Sequence, residues 1–166
     1  MVIRGFAHKF GDNINTDYII SGKYKFKTLD MDELAKHIME DIYPDFYKKI
    51  KKGDFIVAGK NFGCGSSREQ APLVIKHAGI QGVISKSFAR IFYRNAINNG
   101  LILIESNTDL IDDGDEIEVI LEDGIIKNLT KKIEIKGNKI PEFLIEIIKE
   151  GGVINYLQKY GGFKIK

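Results

Sequence analysis

The spacing of apolar residues divides the chain into two parts that differ in periodicity. In the first part, residues 2–9 alternate well enough to predict a strand, and short apolar runs at 55–58, 81–85 and 101–104 predict buried strands. A helical stretch separates each of these runs from the next. Strands that alternate with helices are typical of a parallel sheet with crossover connections.

One further stretch of this first part, residues 31–42, has its apolar residues at helical spacing. Asp30 and Glu33 match a capping box at its start, and Leu29 and Leu34 match a hydrophobic staple. The pattern therefore predicts one helix over this stretch.

After residue 107 the pattern changes to short strands with turns between them. The predicted strands are 116–121, 125–126 and 131–135. Pro141 starts a helix that a pair of glycines ends, and residues 153–160 are expected to form a short terminal helix. The fold class predicted for the whole chain, 1–166, is a single α/β domain whose mixed strands curl toward a barrel, with flanking helices.

The composition is that of a soluble globular chain. Its 166 residues suffice for one domain with its own core, and 43% of them are hydrophobic and 29% charged. A formal net charge of +2 argues against dedicated nucleic-acid binding. No apolar stretch approaches the length of a bilayer span and no signal peptide precedes the first strand, so we expect a cytoplasmic protein without membrane contact.

A single cysteine, Cys64, limits the redox and metal chemistry of the chain. It excludes an internal disulfide, and one thiolate cannot hold an iron–sulfur cluster, which needs about three or four. Any such cluster must come from another chain. Two interpretations of Cys64 stay open, a reactive thiol near a helix start and a small side chain that fills a tight loop. The three histidines, His8, His37 and His77, show no ligand spacing and are expected to be structural.

The segment 59–69, Gly-Lys-Asn-Phe-Gly-Cys-Gly-Ser-Ser-Arg-Glu, joins the strand predicted at 55–58 to a helix that ends at Gly79. Its three glycines let the backbone approach a ligand and turn N–H groups toward it, and the following helix N-terminus adds positive potential. Arg68 can hold a carboxylate through two parallel hydrogen bonds. The segment therefore predicts an anion site.

Helix capping offers a simpler interpretation of the same serines. Ser66 with Glu69 fits a capping box, as does the next pair along the chain. A cap at Ser66 would, however, place Pro72 beyond the first helical turn, where it removes a hydrogen bond and clashes. We therefore expect the regular helix to begin near Arg68 or Glu69. The segment also lacks the Gly-Lys-Ser/Thr ending of a P-loop and the dinucleotide glycine spacing, which favours a small carboxylate over a nucleotide.

Three segments, 60–69, 86–95 and the Asn-Thr-Asp of 15–17, together resemble the small subunits of the aconitase-family hydro-lyases. The isopropylmalate isomerase and homoaconitase small subunits are the most similar members. The resemblance implies a mobile, swivelling β/β/α domain that closes over an active site on an iron–sulfur large subunit. It also implies dehydration and rehydration of a small hydroxy-diacid, with a 4Fe–4S cluster bound by the large subunit and not by this chain.

The resemblance also assigns roles to individual residues. It implies that Ser66 is the catalytic base and that Ser67 and Arg68 bind a substrate carboxylate. Asp17 matches an acidic position of the family that faces the site, which makes it the second predicted catalytic residue. An Asx-turn that caps local N–H groups is the alternative for Asp17.

Residues 86–95 carry a second motif. Arg90 and Arg94 lie four positions apart and hence on one helical face, where they could meet a diacid or the large subunit. The apolar residues of this motif, Phe88, Ile91 and Phe92, are predicted to be core.

The substrate depends on the segment that starts at Tyr24, where the family's variable loop discriminates substrates. Isopropylmalate isomerases tend to have an apolar residue two places after the tyrosine, and homoaconitases an arginine. Phe26 occupies this place and suits a branched alkyl group, which favours isopropylmalate and leucine biosynthesis. The flanking Lys25 and Lys27 leave a further carboxylate, as in homoaconitate, open.

Two functions from other classes stay open at this point. The chain could be a non-catalytic module that binds an organic anion, or a structural subunit that completes a partner. The sequence also leaves open the stoichiometry with a large subunit and the self-association of the isolated chain.

Overall fold

The computed structural model describes residues 1–24 and 30–163, and within these ranges seven strands form one mixed sheet. The strands are β1 (Val2–Lys9), β2 (Phe55–Ala58), β3 (Gly82–Ser85), β4 (Ile102–Glu105), β5 (Glu116–Ile120), β6 (Ile125–Asn128) and β7 (Ile133–Lys136). Their order in the sheet is β4-β3-β2-β1-β5-β6-β7. Strands β1 to β4 are parallel, whereas β5, β6 and β7 continue from β1 as antiparallel neighbours. The sheet forms a half-barrel with flanking helices, which confirms the predicted fold class.

The helices lie between and after the strands. They are α1 (Thr16–Ile19), α2 (Met31–Ala35), α3 (Phe46–Lys49), α4 (Gln70–His77), α5 (Arg90–Asn98), α6 (Glu142–Lys149) and α7 (Val153–Tyr160). The predicted terminal helix and the strands at 2–9 and 55–58 have the predicted bounds. Among the described residues, none of the helices has both the length and the apolar character that crossing a bilayer requires.

The sheet separates two hydrophobic cores, and β2 contributes to both because its side chains alternate between the two faces. Ile56 and Ala58 pack in a core with the helical segments on one face of the sheet. Phe55 and Val57 pack on the other face, against the antiparallel strands and α6. All four side chains are buried, which explains why this strand reads as a continuous apolar run.

The predicted helix over 31–42 is wrong beyond Ala35. The chain turns instead, and Met39 adopts a left-handed backbone with φ of 55°. The Met39 N–H donates to the carbonyl at the end of α1 at 3.0 Å, so a tertiary hydrogen bond replaces the local helical one. Asp30 caps α2 as predicted, but its side chain accepts from the second helical N–H rather than the third. The predicted staple residue Leu29 lies outside the described residues.

The carboxyl ends of the parallel strands β2 and β3 lie at the same edge of the sheet. The glycine-rich segment 59–69 follows β2, and the segment 86–89 that leads into α5 follows β3. Ligands of open α/β sheets bind at this edge, outside the carboxyl ends of the strands. The topology therefore brings two of the three sequence motifs together. That residues 1–166 form a single swivelling domain stays a prediction.

Candidate functional site

Backbone hydrogen bonds hold the glycine-rich segment 59–69 between two neighbouring loops. The Gly63 N–H donates to the Ile14 carbonyl at 2.7 Å, which ties the segment to the Asn-Thr-Asp motif. On the other side, the Phe62 N–H donates to the Ser87 carbonyl at 3.0 Å. The three motifs of the sequence are therefore physically joined.

Gly63 lies where the segment crosses the first turn of α5. Its φ is +83°, and a Cβ added there would lie 2.2 Å from Cγ of Phe92. No side chain fits in this space, so glycine is required for contact as well as for conformation. Below it, Phe62 packs on Phe92 with ring centroids 5.3 Å apart. The packed aromatic rings of Phe62 and Phe92 therefore support the loop.

Both serines of the motif are exposed, and neither caps the helix. Helix α4 follows its N-cap residue Glu69, which has helical backbone angles and whose side chain forms no cap hydrogen bond. The capping interpretation of Ser66 and Ser67 is therefore wrong, and the helix begins where the position of Pro72 predicts. The Ser66 backbone is held instead by buried Thr16, whose Oγ1 donates to the Ser66 carbonyl at 2.6 Å. Among the described residues, neither serine hydroxyl has a hydrogen-bond partner.

Thr16 has no role in the sequence prediction. The only signal that points to it is its position inside the Asn-Thr-Asp motif, because the contact with Ser66 spans 50 positions of the chain.

Arg68 forms an ion pair with Asp17, as Nη2 of the guanidinium contacts Oδ1 of the carboxylate. The Arg68 side chain is only 18% exposed, whereas Asp17 is 57% exposed and faces outward. The guanidinium lies close to the turn at Gly22, where an added Cβ would be 3.3 Å from Nη2. The local cap of α1 comes from Asn15, whose side chain accepts from the Tyr18 N–H at 2.9 Å. The Asx-turn alternative therefore belongs to Asn15, and a catalytic role for Asp17 stays a prediction.

A cavity of about 210 Å³ opens beside Arg68 of this ion pair. Its lining residues are Thr16, Gly63, Gly65, Ser67, Arg68, Ala89, Arg90, Ile91, Phe92 and Asn95. Ser66 lies between two of these lining residues and is exposed. Hydroxyls, glycine backbone and a guanidinium thus converge on one open space.

The region 6–109 matches the family model of the aconitase C-terminal domain. The chain belongs to this family. The predicted resemblance is therefore confirmed.

Individual relatives cover nearly the whole chain. A 3-isopropylmalate dehydratase small subunit 2 of Archaeoglobus fulgidus is 58% identical over 99% of this chain and 100% of its own. A methanogen homoaconitase small subunit of Methanothermobacter thermautotrophicus is 51% identical over 95% of this chain and 92% of its own. A crystal structure of 3-isopropylmalate dehydratase from Methanocaldococcus jannaschii has a TM-score of 0.92 at 55% identity, covering 97% of this chain and 96% of that one.

The two arginines of the second motif reach different places in this aconitase-family domain. Arg90 lines the cavity together with Arg68. Arg94 does not, and lines a neighbouring cleft of about 450 Å³ with Tyr93 and Glu105. Burial, reinforced by the Glu105 charge, raises the pKa of the Tyr93 hydroxyl above its usual value. Arg90 lines this cleft as well, so the two arginines share the cleft and only Arg90 also reaches the cavity of Arg68.

Tyr24 begins the segment predicted to discriminate substrates, two residues after the Gly22 turn that supports Arg68. Its ring stacks on His37 at a centroid distance of 3.8 Å, and its hydroxyl donates to Glu40 at 3.0 Å. The hydrogen bond from His37 lowers the pKa of the Glu40 carboxyl below its usual value. The other predicted specificity residues, Lys25, Phe26 and Lys27, lie outside the described residues.

The donors of this chain do not fit an iron–sulfur cluster. Cys64 is the only cysteine of the sequence, and it is half-buried with its carbonyl accepting from the Thr16 N–H at 2.9 Å. In residues 1–24 and 30–163, the side chains of His, Cys, Asp and Glu form no group of three or more that could hold a metal ion.

Proposed function

We propose that this chain is the small subunit of a heteromeric 3-isopropylmalate dehydratase, which interconverts 2-isopropylmalate and 3-isopropylmalate in leucine biosynthesis. The observation that carries the proposal is the cavity lined by Ser67 and Arg68, with exposed Ser66 next to Ser67 in the chain and Arg68 paired with Asp17. The family and the small-subunit names of relatives that span the whole chain support it. A cytoplasmic location is part of the proposal.

Ser66 is the base in this proposal. Its ionised Oγ takes the proton from the carbon next to a substrate carboxylate while the hydroxyl on the adjacent carbon leaves with its bonding electrons toward the large subunit and a double bond forms. The same Oγ returns a proton to carbon when water adds across that double bond. A serine hydroxyl is a weak base, so its ionised form needs strong stabilisation. The glycine-rich backbone, the start of α4 and the Arg68 guanidinium supply positive potential on that side of the loop.

Ser67 and Arg68 bind the carboxylate in this proposal. The guanidinium is held between the Gly22 turn and the Asp17 carboxylate, so its position is already fixed before a ligand enters. Its Nε is buried without a hydrogen-bond partner among the described residues. Asp17 acts as the residue that orients Arg68 and faces the partner subunit.

The large subunit supplies what this chain lacks. We propose that it holds the 4Fe–4S cluster, because the thiolate count here does not fit one. The small subunit binds the carboxylate, positions it against Ser66 and excludes water from that side. Alone, the chain is expected to be inactive.

Replacing Arg68 by lysine should raise the KM of the reconstituted complex about 10- to 100-fold. Lysine keeps the charge but loses the planar fork that binds a carboxylate through two hydrogen bonds. Steady-state kinetics at saturating large subunit measure the effect. Arg4→Lys is the matched control, because Arg4 also pairs with a carboxylate, Glu116, but lies on β1 away from the cavity. Equal KM values for the two variants would exclude Arg68 as the carboxylate ligand.

A homoaconitase small subunit is the second candidate. The homoaconitase relative at 51% identity and the lysines at 25 and 27 favour it. We expect the reconstituted complex to turn over isopropylmalate faster than homoaconitate, because Phe26 stands in the sequence where isopropylmalate isomerases tend to have an apolar residue. Comparing kcat/KM for the two substrates measures this preference. A strong preference for homoaconitate would select the second candidate.

A non-catalytic anion-binding module is the third candidate. It predicts that the isolated chain binds hydroxy-diacids in a calorimeter and that no large subunit gains activity from it. Reconstituted activity would exclude it.

A further inference from the structure

The exposed side of helix α5 carries two arginines and an isoleucine that the proposed chemistry leaves unexplained. We define the α5 face as Arg90, Ile91 and Arg94. We propose that the α5 face is the docking surface for the cluster-bearing large subunit, and that it binds a patch that is both apolar and acidic. This inference rests on the proposed function, since that function supplies the partner.

Ile91 is the first observation. It is 60% exposed, whereas the other large apolar residues of the helix, Phe92 and Ile97, are buried. The prediction that Ile91 belongs to the core is therefore wrong. Single exposed apolar residues are common, but this one lines the cavity that also holds Arg68. An apolar side chain at the edge of a reaction site becomes buried when a partner closes the site.

The charges of the α5 face are the second observation. Among the described residues, neither Arg90 nor Arg94 lies within ion-pair distance of a carboxylate. Arg4 and Arg68, by contrast, each pair with one. Glu105 lines the cleft of Arg94 but forms no ion pair with it. Two unpaired guanidiniums one helical turn apart favour an acidic partner, and arginine is enriched at protein interfaces.

The position of the α5 face is the third observation. Helix α5 follows β3 at the carboxyl edge of the sheet and forms one wall of the cavity. A partner that completes chemistry at Ser66 has to approach the open side of this cavity, and so it meets α5. The adjoining cleft of about 450 Å³, lined by Arg90 and Arg94, offers a concave space for a segment of that partner.

Replacing Ile91 by glutamate tests the apolar part of the α5 face. The α5 face then carries a charge that must be desolvated, so we expect affinity for the purified large subunit to fall at least about 100-fold. Calorimetric titration of one subunit into the other measures it. Val2→Glu is the matched control because Val2 is 59% exposed and starts β1, at the edge of the sheet opposite the carboxyl ends of the parallel strands. Its affinity should stay within about twofold of the wild type.

Arg94→Ala tests the charged part of the α5 face, and Arg94 does not line the cavity that Arg68 lines. We expect about 5- to 20-fold weaker association, a smaller dependence of affinity on salt, and an unchanged KM at saturating large subunit. If Ile91→Glu and Arg94→Ala both bind the large subunit with wild-type affinity, the α5 face is not the docking surface, and the proposed function is unaffected. A wild-type chain that binds and activates no large subunit would overturn both.

Discussion

Replacing Ser66 by alanine should lower the turnover of the reconstituted complex by several orders of magnitude, on the order of 10⁴-fold, the upper end for loss of a general base. The change removes one exposed hydroxyl, and the Thr16 hydrogen bond goes to the Ser66 carbonyl, which alanine retains. The loop and the association with the large subunit should therefore be preserved. Rates of formation of the unsaturated intermediate, with affinity measured in parallel, check both expectations.

Ser67→Ala is the matched comparison because it removes the same hydroxyl one residue away, on the cavity wall. A ligand serine contributes to binding, so this variant should raise KM more than it lowers kcat. Near-wild-type turnover by Ser66→Ala, or equal kcat losses in both variants, would contradict the assignment of Ser66 as the base.

Replacing Gly63 by alanine should lower the free energy of unfolding by about 2–5 kcal/mol, the sum of a left-handed backbone and a steric overlap. The new Cβ would lie 2.2 Å from Cγ of Phe92, which is itself packed against Phe62. The helix or the loop would have to shift, and either shift moves Arg68 and the serines. Denaturant unfolding with an unchanged m-value measures the loss.

Gly114→Ala separates the two contributions. Gly114 has φ of +85°, close to the +83° of Gly63, but an added Cβ there would have nothing within 4 Å. Its replacement should therefore cost only about 1–2 kcal/mol, the backbone part alone. Equal losses at both positions would contradict the steric role of Phe92.

The strands could be predicted because their signal is local. Strand β2 is apolar at every position, and this pattern persists because both faces of the strand are buried. The prediction of one helix over 31–42 was wrong because of a contact with a distant part of the chain. Its apolar residues Leu34, Ile38 and Met39 are buried as a helical stripe would be, but a hydrogen bond from Met39 to the end of α1 bends the chain.

In the candidate site, too, the features with a local sequence signal could be predicted and those that depend on distant segments could not. Ser66, Ser67 and Arg68 are consecutive, so their glycine-rich context is visible in the sequence. Thr16 and Gly22 support this triplet from segments that are distant along the chain, and no local pattern marks either contact.

The exposure of Ile91 could not be predicted from the sequence either. Its neighbours on both sides belong to one aromatic and arginine-rich motif, and an isoleucine there is more often core than surface. Only the orientation of α5 shows that it faces outward at the cavity.

Exchange of the substrate proton tests most directly whether this chain supplies the base. The reconstituted complex would be incubated with isopropylmalate in D₂O, and deuterium incorporation at the carbons that lose and gain a proton would be followed by NMR. The wild-type chain should give incorporation, whereas Ser66→Ala should give none above the large subunit alone, at equal complex formation. Incorporation by Ser66→Ala at the wild-type rate would contradict the account.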